Sequence, residues 1–142
     1  MLKRIGTVLG GALLFAAVGV GTASAEAGHQ AVNVSGGPPA GAACSTEGWA
    51  HGCYVASGDQ IWVKDAKEDG HHAAVVFWWS GQASKPELSC HDHHGTAAGW
   101  TVCKDLADVI PEHSTLTFWP MTMEGDHIVP GGASPQVITP TS

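Results

Sequence analysis

The chain has 142 residues, and its 13 acidic side chains outnumber its 6 basic ones. Lys3 and Arg4 lie in an N-terminal segment that we expect to be removed, which leaves 4 basic residues and a net charge of −9 with histidine neutral. So acidic a chain argues against nucleic acid and anionic membrane surfaces as partners. Its length is that of one domain.

Residues 1–25 have the features of an export signal. Lys3 and Arg4 precede an uncharged apolar run from Val8 to Val20, and Ala23-Ser24-Ala25 fits a cleavage site. The apolar run is shorter than the ~20 residues that a membrane-spanning helix needs, and no later stretch reaches that length. We therefore predict a secreted, extracellular protein without a membrane span.

The four cysteines of an exported chain are expected to form two disulfides, because the compartment is oxidising. The sequence permits three pairings. Pairing Cys44 with Cys53 and Cys90 with Cys103 is favoured, since each closes a short loop that contains glycine and whose ends neighbouring strands can bring together. There is no Cys-x-x-Cys pair, so a redox role is not indicated.

The chain is predicted to hold one structured domain between less ordered ends. Residues 26–43 are mostly glycine, alanine, proline and polar residues, which predicts a flexible leader. The domain is predicted over residues 44–129. The tail, 130–142, is expected to be loose, although Val137 and Ile138 suit a short edge strand.

The stretch from Gly58 to Trp79 predicts a β-hairpin. Two apolar runs rich in β-branched and aromatic residues flank an Asp69-Gly70 turn. Gly70 suits the left-handed position of such a turn because it has no Cβ, and Asp69 can hydrogen-bond the local backbone. The second run, Ala73 to Trp79, is apolar on both faces, as in a central strand covered by a second sheet.

Further short strands are expected at Leu88–Cys90, Trp100–Cys103, Thr115–Phe118 and His127–Val129. Between Leu106 and Ile110 the choice between a helical turn and a connection stays open. Strands at intervals of about 10 residues, with Gly, Pro and Asp between them, are typical of an antiparallel sandwich. The predicted fold is therefore all-β: a small antiparallel β-sandwich with two disulfides.

Three features between about residues 44 and 123 occur together. They are the turn-and-strand pattern from Gly58 to Val75, the pair Cys90 and Cys103 around a glycine-containing loop, and Pro111-Glu112 before a Leu-x-Phe strand. The combination resembles small exported β-sandwich proteins of actinobacteria whose function is unknown. The resemblance implies a secreted sandwich and no particular biochemical activity.

The sharpest local feature is a histidine-rich stretch that begins after Cys90. On an extended segment, residues two apart face the same way, so His91 and His93 are expected to lie side by side. Zn²⁺, Cu²⁺ and Ni²⁺ favour imidazole, which makes the stretch a candidate metal site. The alternative is an exposed polar loop between disulfide-linked strands. The candidate ligands come from this stretch and from the Asp69-Gly70 turn: His71, His72, His91, His93 and His94.

The six tryptophans are the other unusual feature. Trp119 shares one strand face with Met121 and Met123, and these residues are the candidate for an exposed patch that binds a sugar or a partner protein. The alternative is that most of the tryptophans are core or half-buried residues.

Sequence motifs for catalysis are absent: there is no Gly-x-Ser-x-Gly, no His-Glu-x-x-His and no phosphate loop. The sequence therefore predicts a noncatalytic secreted protein that acts by surface binding, with an unidentified extracellular protein or glycan as partner. One alternative is an extracellular protein that binds Zn, Cu or Ni through its histidine loop. A further alternative is an inhibitor of an extracellular hydrolase.

Overall fold

A computed structural model of the chain describes residues 28–82 and 88–142, and the predicted export signal lies outside these residues. The described residues form strands in two sheets, which confirms the all-β prediction. In chain order the strands are β1 Gly28–Gln30, β2 Val32–Asn33, β3 Ala43–Ser45, β4 Ala50–Val55, β5 Gln60–Asp65, β6 His72–Trp79, β7 Leu88–Asp92, β8 Trp100–Cys103, β9 Thr115–Glu124, β10 His127–Ala133 and β11 Val137–Pro140. A single turn of 3-10 helix at Thr96–Ala98 precedes β8.

The two sheets stack face to face. Sheet I has the order β1-β7-β6-β9-β10, and β11 pairs with the first part of β9. Sheet II has the order β2-β8-β5-β4-β3. Every described pair is antiparallel except β1 with β7, which run parallel. Because side chains alternate along a strand, each sheet has an inner face towards the other sheet and an outer face.

The hydrophobic core lies between the inner faces. Its large side chains come from the central strands of both sheets: Tyr54, Ile61, Val75, Phe77, Leu116 and Phe118. Leu106 and Ile110, where the sequence left the conformation open, lie in a turn segment and bury both side chains against this core. Within the described ranges, no helix has the length and apolar character needed to cross a membrane.

The two disulfides are the favoured pairs, Cys44–Cys53 and Cys90–Cys103. Cys44 and Cys53 lie opposite each other on β3 and β4, within sheet II. Cys90 on β7 and Cys103 on β8 belong to different sheets, so their bond joins the two layers through the core. This second disulfide also anchors the strand that carries His91.

The prediction of a hairpin from Gly58 to Trp79 is wrong. Its two runs form β5 and β6, but β5 pairs with β4 and β8 in sheet II, whereas β6 pairs with β7 and β9 in sheet I. The turn has the predicted chemistry, since Gly70 has φ 78° and Asp69 Oδ1 accepts a 3.0 Å hydrogen bond from the backbone N–H of His71. The segment between Asp65 and His72 crosses from one sheet to the other, a course that the strand pattern cannot distinguish from a hairpin. The prediction that β6 is a central strand is confirmed.

The folded part of the chain is wider than the predicted range 44–129. Strands β1 and β2 lie in the segment predicted as a flexible leader, and the end of β10 and all of β11 lie in the predicted loose tail. The edge strand expected at Val137 and Ile138 is present. These short segments are held by backbone pairing to β7, β8 and β9, and β1 and β2, with 3 and 2 residues, are too short to show an alternating side-chain pattern.

Candidate metal centre

Two neighbouring strands of sheet I carry histidines on its outer face. In the β6–β7 pairing, Ala74 lies opposite His91, which places the start of β6 beside the end of β7. Cys90 faces the core, so alternation turns His91 outward, and His72 is turned outward with Ala74. The rings of His91 and His93 lie 5.8 Å apart and within 6° of parallel, as expected for residues two apart on an extended segment.

Three imidazoles converge at this place. His72 Nε2 lies 3.0 Å from His91 Nδ1, and the ring centroids of His72 and His93 are 4.2 Å apart. One nitrogen from each of His72, His91 and His93 lies within 4.8 Å of the others. A tetrahedral ion with bonds of about 2.0–2.1 Å holds its nitrogen ligands roughly 3.3 Å apart. The His72–His91 separation is therefore close to that of two bound imidazoles, whereas the exposed His93 belongs to a set of nitrogens that is wider, at up to 4.8 Å, and has to move closer to join them.

Two residues set the orientation of the His91 ring, which is buried at 5% exposure. Ser89 Oγ lies 2.8 Å from His91 Nε2, on the far side of the ring from His72. When Nε2–H donates to this hydroxyl, Nδ1 keeps its lone pair for a metal, as is usual for ligating histidines. Gly28 on β1 leaves room for the ring, because a Cβ at that position would lie 2.6 Å from His91 Cδ2.

The histidine at the centre of the cluster is held neutral. The pKa of His72 is lowered to about 4, chiefly by burial and in smaller part by the neighbouring His93 and His91, while Glu124 acts in the opposite direction. At neutral pH the His72 imidazole is therefore uncharged, and the proton that an ion would displace is the one shared in the 3.0 Å hydrogen bond between His72 Nε2 and His91 Nδ1.

An acidic groove of about 570 Å³ opens beside the three histidines. Its carboxylates come from the β5–β6 connection and from the ends of β7 and β9: Asp65, Glu68, Asp69, Asp92 and Glu124. Burial raises the pKa of Asp65, and the nearby Asp69 and Asp92 contribute to the rise. Among the described residues, Asp92 Oδ2 is buried without a hydrogen-bond partner, whereas its Oδ1 accepts the backbone N–H of His94. Carboxylates lining one groove raise the local concentration of cations near the imidazoles.

The other two candidate histidines lie outside the cluster. His71 Nδ1 contacts Glu124 Oε2 at the rim of the groove. His94 Nε2 lies 3.0 Å from the carbonyl oxygen of Ala31, to which its N–H donates. Sequence reasoning named all three members of the cluster among five candidates but did not identify Ser89 or Gly28. Ser89 was detectable as the residue two before His91 on the same strand face, whereas nothing in the sequence indicates the position of Gly28.

The candidate surface patch is less exposed than the sequence suggested. Trp119, Met121 and Met123 do lie on the outer face of sheet I, but Met121 is 3% exposed and Met123 is 7% exposed. Trp119 is half-buried, and its indole N–H donates a 2.6 Å hydrogen bond to the carbonyl oxygen of Ser134. The methionines are buried because they pack with Ala74 and Val76, and the half-buried Trp78 and Trp119 pack against this cluster.

No protein-family model, curated protein or solved structure matches the chain. Three imidazoles supply three of the four ligands that a tetrahedral ion takes, and they are borderline ligands suited to Zn, Cu and Ni.

Proposed function

We propose that this protein binds a borderline transition-metal ion outside the cytoplasm, through His72, His91 and His93. The observation that carries the proposal is the approach of one nitrogen from each ring to within 4.8 Å of the others. Three features support it: the low pKa of His72, the hydroxyl of Ser89 against the far nitrogen of His91, and the acidic groove alongside.

The extracellular setting is part of the proposal. Two disulfides in a small domain are typical of proteins that fold in an oxidising compartment, and the N-terminal segment has the pattern of an export signal. In that setting, a histidine site serves to capture or buffer an ion. His72 and His91 come from two paired strands of a disulfide-anchored sheet, so these two ligands are held in place before the ion arrives, and His93 follows β7 directly.

Equilibrium dialysis with elemental analysis tests the proposal. The disulfide-intact protein is dialysed against micromolar Zn²⁺, Cu²⁺ or Ni²⁺, and we expect close to one ion to be retained per chain. His72→Ala and His93→Ala are each expected to abolish retention. His127→Ala is the matched control, because that side chain is 86% exposed beside Asp126 and is not one of the three converging imidazoles. Equal retention by all four proteins would reject the site.

Binding of an extracellular protein or glycan, with Trp119, Met121 and Met123 as the candidate patch, is the function that the sequence predicted first. The two methionines are buried, and the Trp119 N–H is engaged by Ser134. We therefore place metal binding first. Pulldowns from culture medium with Trp119→Ala as the comparison would test the partner hypothesis independently of metal.

A further inference from the structure

A fourth potential ligand lies next to the histidine cluster. In the β6–β9 pairing, Met123 is directly opposite His72. Side chains of directly opposed residues project from the same face, with Cβ atoms about 4.5–5.5 Å apart. Met123 also lines the acidic groove together with His72 and His93. The thioether is therefore within reach of an ion bound by the imidazoles, because Met has three rotatable bonds through which to bring its sulfur forward.

The surroundings of Met123 differ from those of the groove. Its side chain is 7% exposed and packs with Ala74, Val76 and Met121 in an apolar cluster. The ion would thus have carboxylates on the groove side and hydrocarbon on the sheet side. The imidazole and thioether ligands are all neutral. On the sheet side, the neutral ligands and the apolar wall penalise a divalent ion more than a monovalent one, because the desolvation cost of an ion rises with the square of its charge.

We propose that the physiological ion is Cu(I), bound by His72, His91 and His93 with the Met123 thioether as fourth ligand. This inference rests on the metal-binding function proposed above and specifies its metal. Thioethers are soft ligands that select Cu(I), whereas the usual protein ligands of Zn²⁺ are thiolate, imidazole and carboxylate. Met121 lies two residues away on the same face, but it is opposite Ala74 rather than a histidine and, unlike Met123, it does not line the groove.

Paired methionine variants test the inference. Met123→Leu and Met121→Leu each keep the volume and apolar character of the side chain, and such swaps usually leave a core folded. Cu(I) affinity is measured anaerobically by competition with a chromogenic chelator, with ascorbate as reductant so that the disulfides stay intact. Zn²⁺ affinity is measured in parallel by competition with a fluorescent chelator. We expect Met123→Leu to weaken Cu(I) binding at least tenfold and Zn²⁺ binding less than twofold, and Met121→Leu to change neither.

The outcomes separate this inference from the function on which it rests. If the wild-type protein and Met123→Leu bind Cu(I) equally while His72→Ala loses it, the thioether is not a ligand and the inference is overturned, but the histidine site stands. If wild-type protein binds Zn²⁺ more tightly than Cu(I), the assignment of the metal is overturned. If it binds neither, the proposed function fails as well. Copper-edge X-ray absorption supplies a direct readout, in which a sulfur neighbour must be present in wild type and in Met121→Leu and absent in Met123→Leu.

Discussion

The substitution Gly28→Ala is expected to weaken metal binding much more than it weakens the fold. The added Cβ would lie 2.6 Å from His91 Cδ2 and 2.8 Å from His91 Nε2. Carbon atoms pack at about 3.5–4.0 Å, so the ring must yield by roughly 1 Å. The ring is the far end of a side chain, and it moves more cheaply than the paired backbone of β1 and β7. A ligand position is defined to within about 0.2 Å, so a displacement of this size removes His91 from the coordination sphere.

The two effects have different magnitudes. Overpacking costs about 1–3 kcal/mol, and replacing a strand glycine by alanine returns roughly 0.5–1 kcal/mol, so the free energy of unfolding should fall by only about 1 kcal/mol. Metal affinity should fall by about 10-fold to 100-fold or more, because the loss of a group that only supports a ligand already lowers affinity by about 10-fold to 100-fold. Chelator competition gives the affinity, and urea unfolding of the metal-free protein gives the stability.

A matched control is Val32→Ala, which changes an exposed side chain on β2, the next strand along the chain and a member of sheet II. It should leave the metal affinity unchanged. If folded Gly28→Ala protein bound the metal as tightly as the wild-type protein, His91 would not coordinate from the position described. That result would refute the predicted effect of Gly28 on the site.

Three further predictions concern stability. Replacing Cys90 and Cys103 together by Ala should lower the free energy of unfolding by about 3 kcal/mol, the contribution expected of a disulfide that closes a loop of this length. It should also weaken metal binding, because the disulfide anchors β7. An unchanged midpoint of urea unfolding would contradict the first expectation. Tyr54 donates a 2.5 Å hydrogen bond to the buried Asp59, so Tyr54→Phe should cost about 1–3 kcal/mol by leaving that carboxylate without its hydroxyl. Burial, together with Asp59, raises the pKa of Tyr54. The contribution of Tyr54 to the free energy of unfolding is therefore complete below pH 10, about the pKa of tyrosine in the unfolded chain, and is lost as the pH rises above it. Thermal melts between pH 8 and 11 should show this loss for the wild-type protein and not for Tyr54→Phe. The metal-free protein should also lose stability as the pH falls from about 6.5, the pKa of histidine in the unfolded chain, towards about 4, the pKa of His72 in the folded protein, because the unfolded chain takes up the proton first. His72→Gln should reduce this dependence of the free energy of unfolding on pH. An equal pH dependence in both proteins would show that another group is responsible.

The parts of the fold that depend on side-chain patterning could be predicted from the sequence. The apolar run of β6 indicated a central strand, and the spacing of Cys90 and Cys103 indicated their pairing, and both are confirmed. The sheet membership of β5 and β6 could not be predicted. Their alternation is the same whether the connection turns back beside β5 or crosses to the other sheet, and only the packing of the whole chain decides between the two.

In the candidate site, too, local relations between residues could be predicted from the sequence, and relations that depend on the packing of the whole chain could not. The spacing of His91 and His93 was enough to place them on one face, since that relation is local. The choice of His72 over His71 depends on which residue of the β5–β6 connection begins β6, and strand boundaries are the least certain part of a sequence reading. Gly28 lay in a segment predicted as a flexible leader, and its contact with His91 arises from the parallel pairing of β1 with β7. Nothing local in the sequence indicates that pairing.

The most direct measurement is a crystal structure of the metal-loaded, disulfide-intact protein, with diffraction data collected on both sides of the absorption edge of the bound metal. The proposed site predicts one anomalous peak per chain, within about 2.0–2.1 Å of a nitrogen from each of His72, His91 and His93. A peak elsewhere, or a fully loaded protein whose three imidazoles do not contact the ion, would contradict it.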